Sequence, residues 1–272
     1  MGKGGIFTSR CVVWISRICL LLNSIFDQVI LDRYPKVRTV LPDAYKRIHL
    51  EHYMYNRNRS SAATRLSGYM EGWMHRRVAG IGKKLPGRIL EIGAGTLNHV
   101  DYEKDYTTYD VVEPFTALYK DAPEVEKINR FYRLLEEVPE ANRYDRIISV
   151  AVLEHLCELP LIVARACLLM DTNGHFVAGI PSEGHFLWKL AYSVTTGREF
   201  KRKYGLDYSV FMEHEHVNTA KEIGAVLCLF FKRTKRKLFG INPALSLYQV
   251  WECSEPDMNR ALSYLEQQTN RL

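Results

Sequence analysis

RILEIGAGTLNHV, residues 88–100, is an aliphatic run that carries one carboxylate, Glu91, and then breaks into Gly93 and Gly95. Such a run reads as a buried strand entering a loop where glycines permit close approach to the backbone. The pattern repeats outward from it. TYDVVE (108–113) is a second strand, ended by Pro114, with a helix expected over 115–121. RFYRLL (130–135) is a short extended piece leading to YDRIISVAV (144–152), a strand apolar on both faces. LIVARACLLM (161–170) is helical behind Pro160, a residue suited to a first helical turn. Asn173-Gly174 turns into HFVAGIP (175–181), another buried strand. Strands apolar throughout and alternating with helices predict an α/β fold, a Rossmann-like, doubly wound, mostly parallel sheet.

The ends of the chain follow a different rhythm. A helix over 219–230 precedes FKRTKRKLF (231–239) and LSLYQVWEC (245–253), which predict an antiparallel pair at the C-terminal edge of the sheet. The organisation expected is an N-terminal helical extension over 1–85 and a core over 86–254. The core carries an inserted helical lid at 183–218, and a C-terminal helical tail covers 255–272. Within the extension, 59–82 reads as a helix with Met70, Trp73, Met74 and Val78 on one face.

In an open parallel sheet, ligands bind beyond the carboxyl ends of the strands. Gly93, Ala94 and Gly95 form the loop at the first of those ends. A dinucleotide reading would seat a pyrophosphate there, but no third glycine follows Gly95, and Leu97 occupies the loop. The Glu91 carboxylate would repel a diphosphate and attract an ammonium or sulfonium group. Asp110 and Glu113 follow on the second strand, with Glu113 at its end, where an acid can accept hydrogen bonds from both ribose hydroxyls of a nucleoside. A nucleoside with a cationic centre and no phosphate meets all these conditions, and S-adenosyl-L-methionine (SAM) is that ligand.

At this point the chain resembles the class I SAM-dependent methyltransferases, through LEIGAG (90–95), VVEP (111–114), YDRIISVAVLEHL (144–156) and NGHFVAGIPS (173–182). The likeness spans 86–182 and extends through the edge strands to 253. It implies a SAM site built from Glu91, Gly93, Ala94, Gly95, Glu113 and Pro114. It also implies that Ser149, Val150, Ala151 and Glu154 lie against the methionine part of the cofactor. Where the resemblance would put an adenine-binding acid, the chain has Leu134 and Leu135, with Glu136 just after. The NPPY-type tetrapeptide of many amino-methylating nucleic-acid enzymes is replaced by VAVLEH, which favours oxygen or carbon acceptors and no nucleic acid. More narrowly, LEIGAGTLNH, YDVVEP, YDRIISVAVLEHL and EHVN look like type-11/12-like small-molecule methyltransferases, including those encoded among bacterial surface-polysaccharide (O-antigen) genes. That likeness implies a small-molecule or glycan acceptor, a sugar hydroxyl, and a cytoplasmic enzyme working at the inner membrane face. The same loop also admits a SAM-binding scaffold without turnover and a nicotinamide-dependent oxidoreductase.

Methyl transfer is an in-line displacement at a carbon already activated by the sulfonium, so positioning dominates, and a base is needed only when the acceptor loses its proton late. His155 follows the strand whose tip faces the methyl group, and EHEHVN (213–218) offers His214 and His216. His155 and His214 are the catalytic candidates. An HxH pair can hold a metal, but no further ligand stands at matching spacing, so no metal site is expected. Asn218-Thr219 ahead of an apolar run also has the form of a helix N-cap. The aromatics Phe186, Trp188, Tyr192, Phe200, Tyr204 and Tyr208, with Arg198, Lys201, Arg202 and Lys203, form either a lid that stacks on a ligand or a cover that buries its rings. KRTKRK (232–237) is either an anionic-headgroup patch or the protection of an edge strand.

The composition sets outer limits. The 272 residues carry a formal charge of +6 with 47% apolar and 25% charged residues, ordinary values for a globular protein with a full core. Cysteines at 11, 19, 157, 167, 228 and 253 contain no CxxC pair, which points to a reducing compartment and no metal cluster. The apolar stretch 11–31 is interrupted by Arg17, Asn23 and Asp27, short of the ~20 residues that span a bilayer. No small-residue cleavage pattern follows it, so a secretory signal is not expected. Its polar residues gather into one stripe, which predicts an amphipathic helix. Such a helix can pack on the protein, join a homodimer interface or lie peripherally on a membrane.

Overall fold

The computed structural model describes residues 27–48, 62–82, 87–184 and 196–270. Seven strands form one sheet: β1 (Gly87–Ile92), β2 (Tyr106–Val112), β3 (Arg130–Tyr132), β4 (Tyr144–Val150), β5 (Met170–Pro181), β6 (Phe231–Gly240) and β7 (Ser246–Pro256). Their order is β3-β2-β1-β4-β5-β7-β6. β1 pairs parallel with β2 and β4, and β7 runs antiparallel to both β5 and β6. The sheet reverses direction of growth between β1 and β4, the place where such folds open a ligand crevice.

Alternation along β1 supplies both cores. Leu90 points to a layer made by α2 (Leu159–Leu169), α5 (Ala220–Phe230) and α6 (Met258–Thr269), where Ile147, Phe176 and Ile180 are also buried. Ile89 points to the other face, where Met74 and Val78 of α1 (Ala62–Ala79) meet Ile148, Val177 and Val250. Burying apolar surface on both faces of every central strand is the main stabilising term. The expected C-terminal tail is α6, packed as a full member of the first layer. α5 begins at Thr219, whose side chain and Glu222 form a reciprocal capping box.

One expected helix is absent. The segment 115–121 holds only a single turn, Thr116–Leu118, followed by another at Pro123–Lys127. After Gly95 the chain likewise makes turns and the short Val100–Tyr102. In this second connection the reason is visible in the side chains, since the buried His99 and Glu103 fix it, whereas Tyr119, Ala122 and Val125 pack the first against the α1-side core. Asn173-Gly174 does not break the chain before β5; the strand runs continuously from Met170, with a register shift against β4.

The N-terminal segment and the insertion make a third, smaller apolar cluster. Leu41 and Tyr45 pack on Phe200 of α3 (Thr196–Tyr204) and Phe211 of α4 (Ser209–Glu215). Phe200, Tyr204 and Tyr208 therefore bury their rings together, while Phe186, Trp188 and Tyr192 lie outside the described residues. The expected amphipathic helix lies outside them up to residue 26. At 27–31 the chain is helical, with Asp27 paired to Arg260 and Ile30 and Leu31 against the first core. No helix among the described residues is long and apolar enough to cross a membrane. On the edge strand β6, Arg233 pairs with Glu255 and Arg236 lies over Trp251, the pattern of a guarded edge.

Asp110 is a structural acid. Its carboxylate is buried in β2 and accepts hydrogen bonds from Tyr144 Oη at 2.7 Å and Asn129 Nδ2 at 2.8 Å. Tyr144→Phe leaves that buried carboxylate one donor short and should lower unfolding free energy by roughly 1.5–3 kcal/mol, read by urea denaturation.

Candidate functional site

The loop after β1 is shaped for close approach. Gly93 and Gly95 take φ of 75° and 54°, and Leu97 takes 63° with its side chain fully buried. A Cβ on Gly93 would lie 2.4 Å from Val152 Cγ2, so glycine is required there on two counts. Gly93 donates its N–H to Val112 O, which ties the loop to the end of β2. Ala94 is buried against the α1-side core. Leu97 packs a turn, and the left-handed backbone at that residue stores of order 1 kcal/mol of strain.

Glu113 closes the loop from the neighbouring strand. One carboxylate oxygen accepts from Gly95 N–H at 2.8 Å and the other from Phe115 N–H at 3.0 Å. Each oxygen keeps a second acceptor position, enough for a pair of hydroxyls. Pro114 is exposed beside it, and Phe115 presents a ring that is 66% accessible, an unusual exposure for a large apolar residue. Sequence reasoning passed over Phe115, although its place directly after the Glu-Pro strand end was a usable signal.

Glu91 points away from the loop, into the α1-side core. It is buried, accepts from Tyr109 Oη at 2.7 Å, and burial pushes its pKa up. Beside it runs a chain of buried polar side chains. His75 Nδ1 lies 2.8 Å from His99 Nδ1, His99 Nε2 lies 3.2 Å from Glu103, and Glu103 takes a bidentate pair from Arg146 at 2.8 and 2.9 Å. Glu103 is satisfied as a carboxylate if His99 donates from Nε2 and His75 donates to His99. Burial acts to raise the Glu103 pKa, but the hydrogen bonds from His99 and Arg146 hold it below the usual range. Burial and the neighbouring His99 push His75 down to about 3. Glu136, just after the position where an adenine-binding acid was expected, is paired to Arg165 at 3.0 Å, while Leu135 is in the core and Leu134 is exposed.

β4 delivers the remaining expected residues. Ser149 Oγ donates to Ile92 O at 3.2 Å, and Val150 is buried. Ala151 leaves the strand with φ of 54° and is exposed. The short turn Leu153–His155 follows, with Glu154 buried, one of its oxygens lacking any hydrogen-bond partner, and its pKa raised by burial. His155 meets His216, not His214: the two rings pack edge to face at 4.6 Å, and His216 Nδ1 is hydrogen-bonded to Glu183. His155 Nδ1 donates to Glu215 O at 2.9 Å. His214 instead bonds Thr39 O through Nδ1 at 2.6 Å, outside this pair. Burial lowers the pKa of both His155 and His216.

Asn218 holds this arrangement. Its side chain is buried, donates to Leu153 O at 2.9 Å and Leu156 O at 2.8 Å, and accepts from Tyr34 Oη at 2.9 Å. Its backbone N–H bonds Glu154 O. Arg38 adds bonds to His155 O, His214 O and Glu215 O. No group of three or more metal-ligating side chains occurs among the described residues.

No protein-family model matches the chain, and no curated protein matches it. Solved structures do. The plantazolicin methyltransferase BpumL, in complex with a monoazolic desmethylPZN analogue and SAH, superposes with a TM-score of 0.52 at 12% identity, over 78% of this chain and 93% of that one. A SAM-dependent methyltransferase from Thermotoga maritima gives 0.45 at 16% identity, over 70% of this chain and 96% of that one. The likeness to BpumL is one of fold: this chain has the architecture of class I SAM-dependent methyltransferases.

Two outcomes follow from the buried polar groups. Asn218→Ala strands two carbonyls and a phenol and should cost about 3 kcal/mol in denaturant unfolding. For His75, the folded pKa lies below the unfolded one, so its contribution is present above pH 6.5 and lost as pH falls towards about 3. His75→Asn removes that dependence. The stability gap between wild type and variant should narrow by up to about 1.4 kcal/mol per pH unit below 6.5, measured by denaturation across pH 5–7.5.

Proposed function

We propose that this protein transfers a methyl group from SAM to a small-molecule acceptor. The observation that carries the reading is the junction of β1 and β2. A loop with no room for a side chain at Gly93 lies beside a buried carboxylate whose oxygens each accept one backbone N–H. In this reading, Glu113 takes the two ribose hydroxyls, and Gly93, Ala94 and Gly95 line the ribose and methionine side. The exposed Phe115 offers its face to the adenine ring, and Pro114 fixes the backbone before it.

Ser149, Val150 and Ala151 border the methionine part, with Ala151 exposed at the end of β4. Glu91 contributes from behind, as a buried group that holds Tyr109 and the floor of the loop, and does not touch the cofactor. SAM supplies an electrophilic methyl on a sulfonium; the protein binds, aligns and excludes water.

The narrower proposal is a glycan or sugar-hydroxyl acceptor in surface-polysaccharide synthesis at the cytoplasmic membrane face. Its support is the sequence resemblance, the basic β6 edge and the amphipathic pattern of 11–31.

Calorimetry with SAM tests the central claim. Glu113→Ala removes a charge-assisted acceptor for two hydroxyls and should weaken SAM binding by about 2 kcal/mol, some thirtyfold in Kd. Undetectable SAM binding by wild type, or a Glu113→Ala variant that binds as tightly, counts against the reading. Thermal stabilisation by a nicotinamide cofactor but not by S-adenosylhomocysteine would return the loop to a dinucleotide.

A further inference from the structure

Three separate segments bring ionisable side chains together at the carboxyl ends of β4 and β5. Glu154 and His155 come from the turn after β4, Glu183 follows β5, Glu215 ends α4, and His216 is its C-cap. This is one strand away from the glycine loop, and Val152, in contact range of Gly93, links the two places. The cluster therefore borders the methyl end of a ligand seated on that loop.

The hydrogen bonds fix which ring atom is available. His216 Nδ1 is bonded to Glu183 Oε2, so the proton sits on Nδ1 and Nε2 carries the lone pair. The other imidazole differs in its partner. His155 Nδ1 donates to a neutral carbonyl, Glu215 O. His155 Nδ1 has the Glu215 carboxylate only at 3.8 Å, beyond hydrogen-bond reach, whereas His216 Nδ1 is hydrogen-bonded to a carboxylate that can stabilise the imidazolium formed when Nε2 takes a proton. His216 retains 14% side-chain exposure, so a ligand can reach it, whereas Glu154 is 2% exposed.

We propose that His216, oriented by Glu183, is the general base that removes the proton of an acceptor hydroxyl, which makes the transfer an O-methylation; this rests on the SAM reading above. The hydroxyl proton passes to His216 Nε2 while an oxygen lone pair forms the bond to the methyl carbon. The S–CH3 bond breaks with its electron pair going to sulfur. The products are a methyl ether, S-adenosylhomocysteine and an imidazolium that returns its proton to water. A neutral amine needs no such device, since its lone pair attacks directly, whereas an alcohol is a poor nucleophile until its proton leaves.

The surroundings fit a base that works near neutral pH. Burial keeps the imidazole neutral, Glu154 and Glu215 favour its protonation, and Arg38 opposes it. The His155 ring stands edge-on to it. Glu183 is a positioning residue: Glu183→Gln can present an N–H to Nδ1 and turn the ring into the wrong tautomer.

The test uses the full chain with tritiated-methyl SAM and three probes at millimolar concentration: methyl α-D-glucopyranoside, catechol and benzylamine. Wild type should form a methyl ether on a hydroxyl probe and leave benzylamine unmodified. Its kcat should rise with pH through the His216 ionisation and then level off. His216→Gln should bind SAM as wild type does, which also reports folding, and lower kcat about 10²–10⁴-fold with little change in KM. Glu183→Gln should lower kcat and move the acid limb of the pH profile. N-methylation of benzylamine, SAM binding with no ether from either hydroxyl probe, or a His216→Gln kcat within about threefold of wild type overturns the proposal. Absence of SAM binding in wild type fails the preceding reading instead, and the base with it.

Discussion

The buried side chain of Asn218 is the constraint on which the carboxyl end of β4 and its surroundings depend. One amide ties the turn after β4, the cap of α5 and the N-terminal segment through Tyr34. Each of its groups meets a partner in a buried or half-buried place, so the arrangement is high in cost to leave half-made. Because Leu153 O and Leu156 O are both fixed, the backbone between them has little freedom. That backbone carries Glu154 and His155. A polar residue in a loop thus does what an apolar core cannot: it specifies one direction for the side chains that follow.

The two faces of the sheet divide the electrostatic work. On the α1 side, Glu91, Tyr109, His99, Glu103 and Arg146 sit close together in a low-dielectric layer. Their pairing is costly to create and costlier to break, which suits a rigid floor beneath the glycine loop rather than a titrating site. At the carboxyl ends of the strands, Glu154 keeps one carboxylate oxygen without a hydrogen-bond partner. Donors fixed by backbone geometry hold Glu113 in place without consuming all its lone pairs. Rigid beneath and receptive above is the division that preorganised sites require.

Much of the fold was legible in the sequence because burial on both faces leaves continuous aliphatic runs. LEI, IISV and FVAGI lie at central positions of the sheet, and the edge pair was marked by alternating basic residues. The connections were not legible, since period cannot reveal a segment stabilised by buried polar groups. TLNHVDYEKD turns under the control of His99 and Glu103, a pairing made only when α1 arrives with His75. Site residues followed the same rule. Gly93, Gly95 and Glu113 could be read from strand ends, whereas the inward turn of Glu91 depended on which pleat faces α1. His214 and His216 differ by two positions, and only the fold decides that one meets Thr39 and the other Glu183.

The wall around the cluster is built from segments outside the central sheet. Residues 34–48 and the two helices of the insertion share their own small core through Tyr45, Phe200 and Phe211, joined to the rest by Lys36, Arg38 and Asn218. Hydrogen bonds at the rim are less costly to rearrange than the sheet's ladders, so this wall opens more readily than the central strands. The glycine loop, braced by the buried network below it, has no comparable freedom. The strand-end loop and the wall beside it therefore rest on different kinds of interaction, buried polar pairs beneath the one and rim hydrogen bonds around the other.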